Sequence, residues 1–567
     1  MSNKMKDIQF PSVNYDDWKE QAIKALKGKP FETLFSKTIE GVTLEPLYTQ
    51  EMLVEKMGGQ LEKQISTIRS LKMSATFLAA QQIYGKTPEQ FFSNIQDSLN
   101  RGNDVLTIDS RMPFEWNDDS LSQLVNYISE NSFKFYVQNE NDSLLKVFNK
   151  IDDSNKQKIN GFIISETPVT LEGFEKVRTY SANTVTYHND GANAIQELAI
   201  ALALAAKYAQ LEENFEDFTK KYFVNFAVDT QFFSEIAKLR AFKVLWKAFS
   251  SAYGFNNPSA IPVFAETSLR SFSKLDVYVN LLRAGNEAFA ALIGGADLIT
   301  VHPHDVLSEP TEQSIRIARN VLLVLKEESF VADVLDPSGG SYFIESLTAE
   351  YVEKAWQLFI EIEDAGGIDA FSQSGKLQAA IEEVYNSRLK AVETRKHSLI
   401  GTNIYANPVD ELPLATNPQH SQIKRLAIPF ENLREKYNEV QPSIAILTIG
   451  KLKNFKARAD FVAGFFATAG IILKQSGEIE TIEDAIGWLK QVNYDYVIVA
   501  GNDEDTKSLI PSILAQKPKN LILDVAGKFK EEETEWLNSG LNGFIFAGQN
   551  LIVKLKEVLE SLKGVQR

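Results

Sequence analysis

Phe223-Val224-Asn225-Phe226-Ala227, followed through Val228-Asp229-Thr230 by Ile236, Leu239, Phe242, Val244 and Leu245 at helical spacings, is the stretch that decides the fold. A short apolar run ending in polar residues, then a longer stretch of period 3.6, is one βα unit. Seven further runs of the same kind flank it: Val105 to Ile108, Phe133 to Val137, Phe162 to Ile164, Thr184 to Tyr187, Pro262 to Ala265, Leu298 to Val301 and Ala332 to Leu335. Eight such units across roughly 250 residues predict a closed (β/α)8 TIM barrel rather than an open sheet.

Outward from the barrel the pattern changes on both sides. Residues 1–100 read as an arm followed by helices, in which Asp16-Asp17-Trp18 caps a helix with apolar face Trp18, Ala22, Ala25 and Leu26, and Leu44 to Thr49 lies extended around Pro46. Residues 101–405 make the barrel, and residues 406–440, rich in proline and poor in periodic positions, read as a belt-like linker. In residues 441–567 the runs Ile444 to Ile449, Ile471 to Leu473, Tyr496 to Ala500, Leu521 to Val525 and Gly543 to Ala547 alternate with helices, which predicts a flavodoxin-like, doubly wound α/β domain.

Composition removes whole classes of function. The chain has 567 residues, too many for one core, with 44% hydrophobic and 24% charged residues, an ordinary globular balance. A net charge of -16 disfavours nucleic acid and anionic membranes as partners. The absence of cysteine excludes disulfides, thiolate-bound zinc, iron-sulfur clusters and thiol nucleophiles. The start of the chain lacks a secretory apolar run and no stretch approaches the roughly 20 apolar residues of a membrane span, so a cytoplasmic location is expected.

Longer strings carry a family resemblance. Phe226 through Trp246 resembles the fifth βα unit of methylmalonyl-CoA mutases, and Arg316-Ile317-Ala318-Arg319-Asn320, Asp336 through Thr348 and Glu353-Lys354-Ala355-Trp356 resemble later segments of that family in the same order. Each string also has a packing role: Ile236, Leu239, Phe242 and Leu245 would dock a helix on the barrel, and Pro337, Gly339 and Gly340 suit a tight βα turn at the barrel mouth. In this family the second domain resembles a cobalamin-binding domain in which an Asp-x-His-x-x-Gly loop supplies a histidine to cobalt. Aligning on Phe466, Ala467 and Gly470 puts Lys453 at the Asp, Phe455 at the His and Arg458 at the Gly. A phenylalanine cannot ligate cobalt, and an ammonium cannot orient a ligand histidine as a carboxylate does.

Other family requirements divide. Lys72 to Ala80 lacks the tyrosine-arginine pair that the resemblance implies for substrate contact. Thr186-Tyr187-His188 resembles the family's Gly-Tyr-His segment, so His188 is the one vestigial catalytic candidate. At the end of a strand it would face the mouth and hydrogen-bond a thioester carbonyl, or else merely bond its neighbours in a degenerate pocket. The small turns Val499 to Asp503 and Phe546 to Asn550 match places that admit the cofactor's nucleotide tail, and equally suit any doubly wound sheet.

Remaining candidates have weaker patterns. His302 and His304, two apart on an extended segment, share a face but lack a third ligand, so no metal is expected. His397 and His420 read as solvent-exposed, and Asp109 with Arg111 and Glu266 with Arg270 read as ion pairs at the barrel rim.

The resemblance implies the small subunit of a heterodimeric methylmalonyl-CoA mutase. A large catalytic partner would hold adenosylcobalamin and the acyl-CoA and interconvert succinyl-CoA and (R)-methylmalonyl-CoA. This chain would bind no cofactor and would stabilise the partner through its arm, anchored by Trp18, Leu47 and Tyr48. The alternatives are an independently active acyl-CoA mutase and a chaperone-like partner for cofactor loading.

Overall fold

The computed structural model describes residues 13–491 and 493–565. It is a mixed α/β structure whose large sheets are all parallel. The first is a ring of strands: β1 (Leu78–Ala79), β2 (Val105–Asp109), β3 (Ser132–Tyr136), β4 (Gly161–Ile164), β5 (Tyr180–Asn183), β6 (Tyr222–Val228), β7 (Val263–Thr267) and β8 (Leu298–Thr300). β5 continues a short strand at Val177–Arg178, across Thr179 alone; the lower part pairs with β4 and the upper part with β6. At the other seam β1 pairs with β8, and the Gln82–Thr107 bridge with Asp104 N–H donating to Ala79 O joins it to β2. The ladder therefore closes and leaves no edge.

Two predicted strands fall elsewhere. Thr184 to Tyr187 is not a strand: β5 ends at Asn183, and Val185–Asp190 is a short helix stopped by Gly191 at φ 124°. A side chain at 191 would also strike Tyr385, its Cβ 2.5 Å from that of Tyr385, so glycine answers both demands. Ala332 to Leu335 overlaps a 3-10 turn at Val331–Asp333, and Val334 and Leu335 are exposed. The ring instead closes through β1, a two-residue strand within the segment read as arm and helices. Asp336 through Gly340 accordingly forms a turn before the helix Tyr342–Asp364 and does not follow a barrel strand.

Alternate residues point into the ring and fill it in layers. Phe162, Phe223 and Phe264 meet at the lower end with ring centroids 4.6–5.4 Å apart, beside Val105 and Leu298. Further along the strands the filling turns polar, with Lys134 Nζ donating to Thr300 Oγ1 at 2.7 Å. The outer face of the ring is covered by helices, among them α1 (Ala194–Ala209), α2 (Phe232–Ala252) and α3 (Val279–Gly294), all largely buried.

The second domain has β9 (Ile444–Thr448), β10 (Lys474–Gln475), β11 (Tyr496–Ala500), β12 (Ile522–Ala526) and β13 (Gly543–Ile545), in spatial order β10-β9-β11-β12-β13. The run Ile471 to Leu473 stops just short of β10. The stretch read as a linker contains α4 (Ile428–Val440), whose Phe430, Leu433 and Tyr437 are buried in this domain's core, with the Tyr437 hydroxyl donating to Leu555 O at 2.9 Å. Pro429 masks the helix in the sequence, yet proline is compatible with a first turn.

At the other end of the chain, Asn14, not Asp16, caps the helix Tyr15–Ala25, with Asp17 completing the box. None of this helix is buried. Tyr48 packs on Phe343 of its own chain at 5.0 Å. Residues 1–12 of the predicted arm lie outside the described residues.

Candidate functional site

The C-terminal ends of the ring strands surround a cavity of about 420 Å³. Its barrel wall includes Gln82, Asp109, Arg111, Tyr136, Glu166, Glu266 and His302, and its roof is Gln419, His420, Gln422 and Ile423 from the segment between the domains. Gln419 fixes the roof by donating from Nε2 to Arg111 O at 2.7 Å.

Alternation along the strands sets these positions. Lys134 and Tyr136 lie two apart on β3, so both enter the ring. Glu266 accepts from the Tyr136 hydroxyl at 2.8 Å and from Asn225 Nδ2 at 3.2 Å, and lies 3.5 Å from His302 Nε2. Burial works to raise the Glu266 carboxyl, but His302, Lys134 and Tyr136 outweigh it and hold it down at about 2. Burial pushes the Lys134 ammonium down to about 8. Lys134 and Tyr136 went unremarked in the sequence, although a lysine between Phe133 and Phe135 in a strand is a signal for an inward cation.

The predicted site residues divide sharply. Asp109 and Arg111 do form the expected pair, with two hydrogen bonds at 2.9 and 2.6 Å. Glu266 and Arg270 do not: Arg270 is bound to Asp229 at 2.6 Å and to the carbonyls of His188 and Ala192, behind the cavity wall. His188 does not face the mouth. It is fully buried, with Nδ1 2.8 Å from Glu197 and Nε2 2.7 Å from Ser268 Oγ, and burial lowers its pKa to about 4. Both ring nitrogens are thus committed to neighbours.

His302 and His304 are buried with Nδ1 atoms lacking a protein partner, and among the described residues no group of three or more acidic, histidine or cysteine side chains could hold a metal. His397 is partly buried at a second cavity. His420 is not solvent-exposed as expected. Its Nε2 is fully shielded without a partner, and its ring lies 5.9 Å from that of His302. Burial first, then His302 and Arg111, push His420 down to about 3.

A folded-state histidine pKa below the usual 6.5 means that the unfolded chain takes up the proton first. The stability this protects is complete above pH 6.5 and is lost as pH falls towards 3. We expect the thermal midpoint to fall more steeply between pH 6.5 and 4 in the wild type than in His420→Gln, read by circular dichroism. Equal slopes would remove His420 from the acid limb.

In the second domain the three substituted positions lie on or beside α5 (Leu452–Ala467), a helix and not an open loop. Lys453 is exposed. Phe455 is buried in the apolar cluster with Ala459, Val462 and Phe466. Arg458 reaches across the carboxyl edge of the sheet to donate to Gly501 O at 2.6 Å, pairs with Asp503, and stacks its guanidinium 5.4 Å above Phe529. Its Cζ would lie 3.2 Å from a Cβ at Gly527. These partners follow β11 and β12, on the carboxyl edge beside the crevice between β9 and β11 where ligands sit in this strand order.

Those residues do not fit a cobalt site: no histidine occurs after His420, Phe455 lies in the core, and a cation of the chain itself crosses the sheet edge. The turn at Val499 to Asp503 is small for a local reason, since a Cβ at Gly501 would lie 3.0 Å from Thr506 Oγ1 and 3.1 Å from Ile449.

Comparison with known proteins agrees with this architecture. The profile of the family described as methylmalonyl-CoA mutase matches residues 159–465. A methylmalonyl-CoA mutase small subunit of Porphyromonas gingivalis is 30% identical over 558 residues, covering 89% of this chain and 90% of that one. The small subunit of Propionibacterium freudenreichii subsp. shermanii is 26% identical, covering 98% and 95%. A probable small subunit of Mycobacterium bovis is 33% identical over 332 residues, covering 55% and 54%. On the profile match and the near full-length identity together, this chain belongs to the methylmalonyl-CoA mutase family.

Proposed function

We propose that this chain is the non-catalytic small subunit of a heterodimeric methylmalonyl-CoA mutase, built from a (β/α)8 barrel and a flavodoxin-like domain. Its large partner holds adenosylcobalamin and the acyl-CoA and interconverts succinyl-CoA and (R)-methylmalonyl-CoA. The carrying observation is that Phe455 is core and Arg458 crosses the carboxyl edge of the sheet, so the three positions aligned with the cobalt-binding loop supply no cobalt ligand.

The barrel mouth supports the same reading. Asp109, Glu166, Asp190 and Glu266 line it, while Arg111 is already engaged by Asp109, a poor setting for the anionic phosphates of coenzyme A. His188, locked between Glu197 and Ser268, has no free nitrogen for a thioester. The chain's contribution is stabilisation: binding the folded partner raises that partner's stability by mass action. The exposed helix Tyr15–Ala25 is the element available to wrap it, whereas Tyr48 serves its own barrel.

No helix among the described residues is long and apolar enough to cross a membrane, which accords with a cytoplasmic enzyme. Purifying the chains singly and after co-expression tests the proposal. A stable one-to-one complex with mutase activity, and none from this chain alone, is expected; unaided activity with added adenosylcobalamin would refute it. A partner released during size-exclusion chromatography would favour transient cofactor loading instead.

A further inference from the structure

A second cavity, of about 500 Å³ and sharing no lining residue with the mouth, lies outside the C-terminal ends of β6 and β7, between residues 36–44, residues 229–234 leading into α2 and the helix Lys376–Glu393. Lys37, Arg388 and Lys396 line it. Arg388 Nε is shielded from solvent with no hydrogen-bond partner, and no ion pair among the described residues engages any of the three cations. A shielded Nε without an acceptor calls for an explanation, since buried donors are nearly always paired.

The carboxylates present do not supply one. Asp229 is committed to Arg270 and Ser271, and Glu40, although close enough to act on Arg388 through space, forms no hydrogen bond with it among the described residues. Three cations against Glu40 and Asp229, the latter already paired with Arg270, leave the cavity positive. Its opposite wall is apolar, with Phe233 packed edge-on against Phe343 at 5.4 Å beside Leu44 and Leu347. A concave space with one convergent charged group and an apolar wall has the make-up of a small-molecule site.

We infer that this cavity binds an organic anion, a phosphate monoester or carboxylate with an apolar tail, whose charged end pairs with Arg388 and whose tail lies on Phe233 and Phe343. A guanidinium suits either head group because its planar fork matches both geometries. The site stands apart from the crevice of the second domain and from the heterodimer proposal, so either can fail without the other.

Calorimetric titration of the full-length chain with phenyl phosphate, phenylacetate, inorganic phosphate and benzyl alcohol tests it. One phenyl phosphate or phenylacetate per chain is expected, at least tenfold weaker in Arg388→Gln and several-fold weaker in Lys396→Gln, with no binding of benzyl alcohol. Bound phenyl phosphate should also slow modification of Arg388 by phenylglyoxal at least fivefold in the wild-type chain, a readout that needs no variant to fold. Absence of binding by both organic anions, which would mean that water alone solvates the cavity, overturns the inference. So does unchanged affinity in a folded Arg388→Gln, equal binding of benzyl alcohol or of inorganic phosphate, or lack of protection.

Discussion

Arg240→Leu is expected to lower the stability of the barrel by about 3–5 kcal/mol, the loss typical of removing one partner from a buried ion cluster. Arg240 is fully buried on α2, where it pairs with Asp336 and with Glu345 of the helix Tyr342–Asp364. Glu345 also accepts from Gln64 Nε2 at 2.6 Å and from Gly340 N–H at 2.9 Å. One guanidinium thus ties the helix after β6 to the turn at Asp336 and to the N-terminal region. Leucine would fill much of the volume but strand two carboxylates out of water, and a hydrophobic replacement is tolerated only when the counter-charges go too. The urea midpoint of the barrel transition is the measurement, and a wild-type midpoint would contradict the account. Glu345→Gln should lose less, because an amide still accepts from Gln64 and Gly340.

Lys238→Met should have an effect of similar size, about 3–5 kcal/mol at pH 8. Lys238, also fully buried on α2, lies 2.6 Å from Glu235 and 3.2 Å from Glu197, and donates to Ala227 O at 2.6 Å. Glu197 in turn accepts from Thr184 Oγ1 at 3.1 Å and holds His188 Nδ1. Without the ammonium both carboxylates lose the one lysine paired with them among the described residues.

The pH dependence separates this loss from a packing defect. Burial raises Glu235 to about 7, against 4.5 in the unfolded chain. A carboxyl whose folded pKa is raised destabilises the fold once charged, so its penalty is complete above pH 7 and fades as pH falls towards 4.5. Lys238 lowers Glu235 in the wild type, so without it the carboxyl takes up its proton at still higher pH, and the gap between Lys238→Met and wild type should narrow from pH 8 to pH 6. A constant gap would point to lost packing alone.

Both predictions concern residues that the sequence presents misleadingly. Lys238, Arg240 and Lys243 look like the solvent face of an amphipathic helix, since Ile236, Leu239 and Phe242 alone satisfy a core stripe. All six are buried, because α2 is enclosed by the ring, α3 and the helix Tyr342–Asp364 together. A helix packed on several sides buries its polar residues too, and their partners, most of them far away in sequence such as Glu197 and Glu345, make that tolerable.

The strand pattern was legible where apolar residues dominate a run buried on both faces, as in β2, β6, β7 and β8. It failed at β5, where Tyr180-Ser181-Ala182-Asn183 carries polar side chains into the ring, and at Val334 and Leu335, which are apolar but exposed. Burial, not side-chain type, separates those cases. The site was legible as substitutions: Phe455 and Arg458 are covalent facts. Their consequence was not, because a phenylalanine in a loop and one in a core helix read alike.

What the chain by itself determined is the succession of βα units and the absence of any imidazole beyond His420, since periodicity and residue identity are local properties. The three-dimensional arrangement alone decided that β1 closes the ring, that Arg270 binds Asp229 in place of Glu266, that His420 roofs the mouth and that Arg458 crosses the sheet edge to Gly501. Each of these joins groups brought together by packing between elements, and the energy that selects one pairing over another depends on burial and distance, which no local pattern encodes.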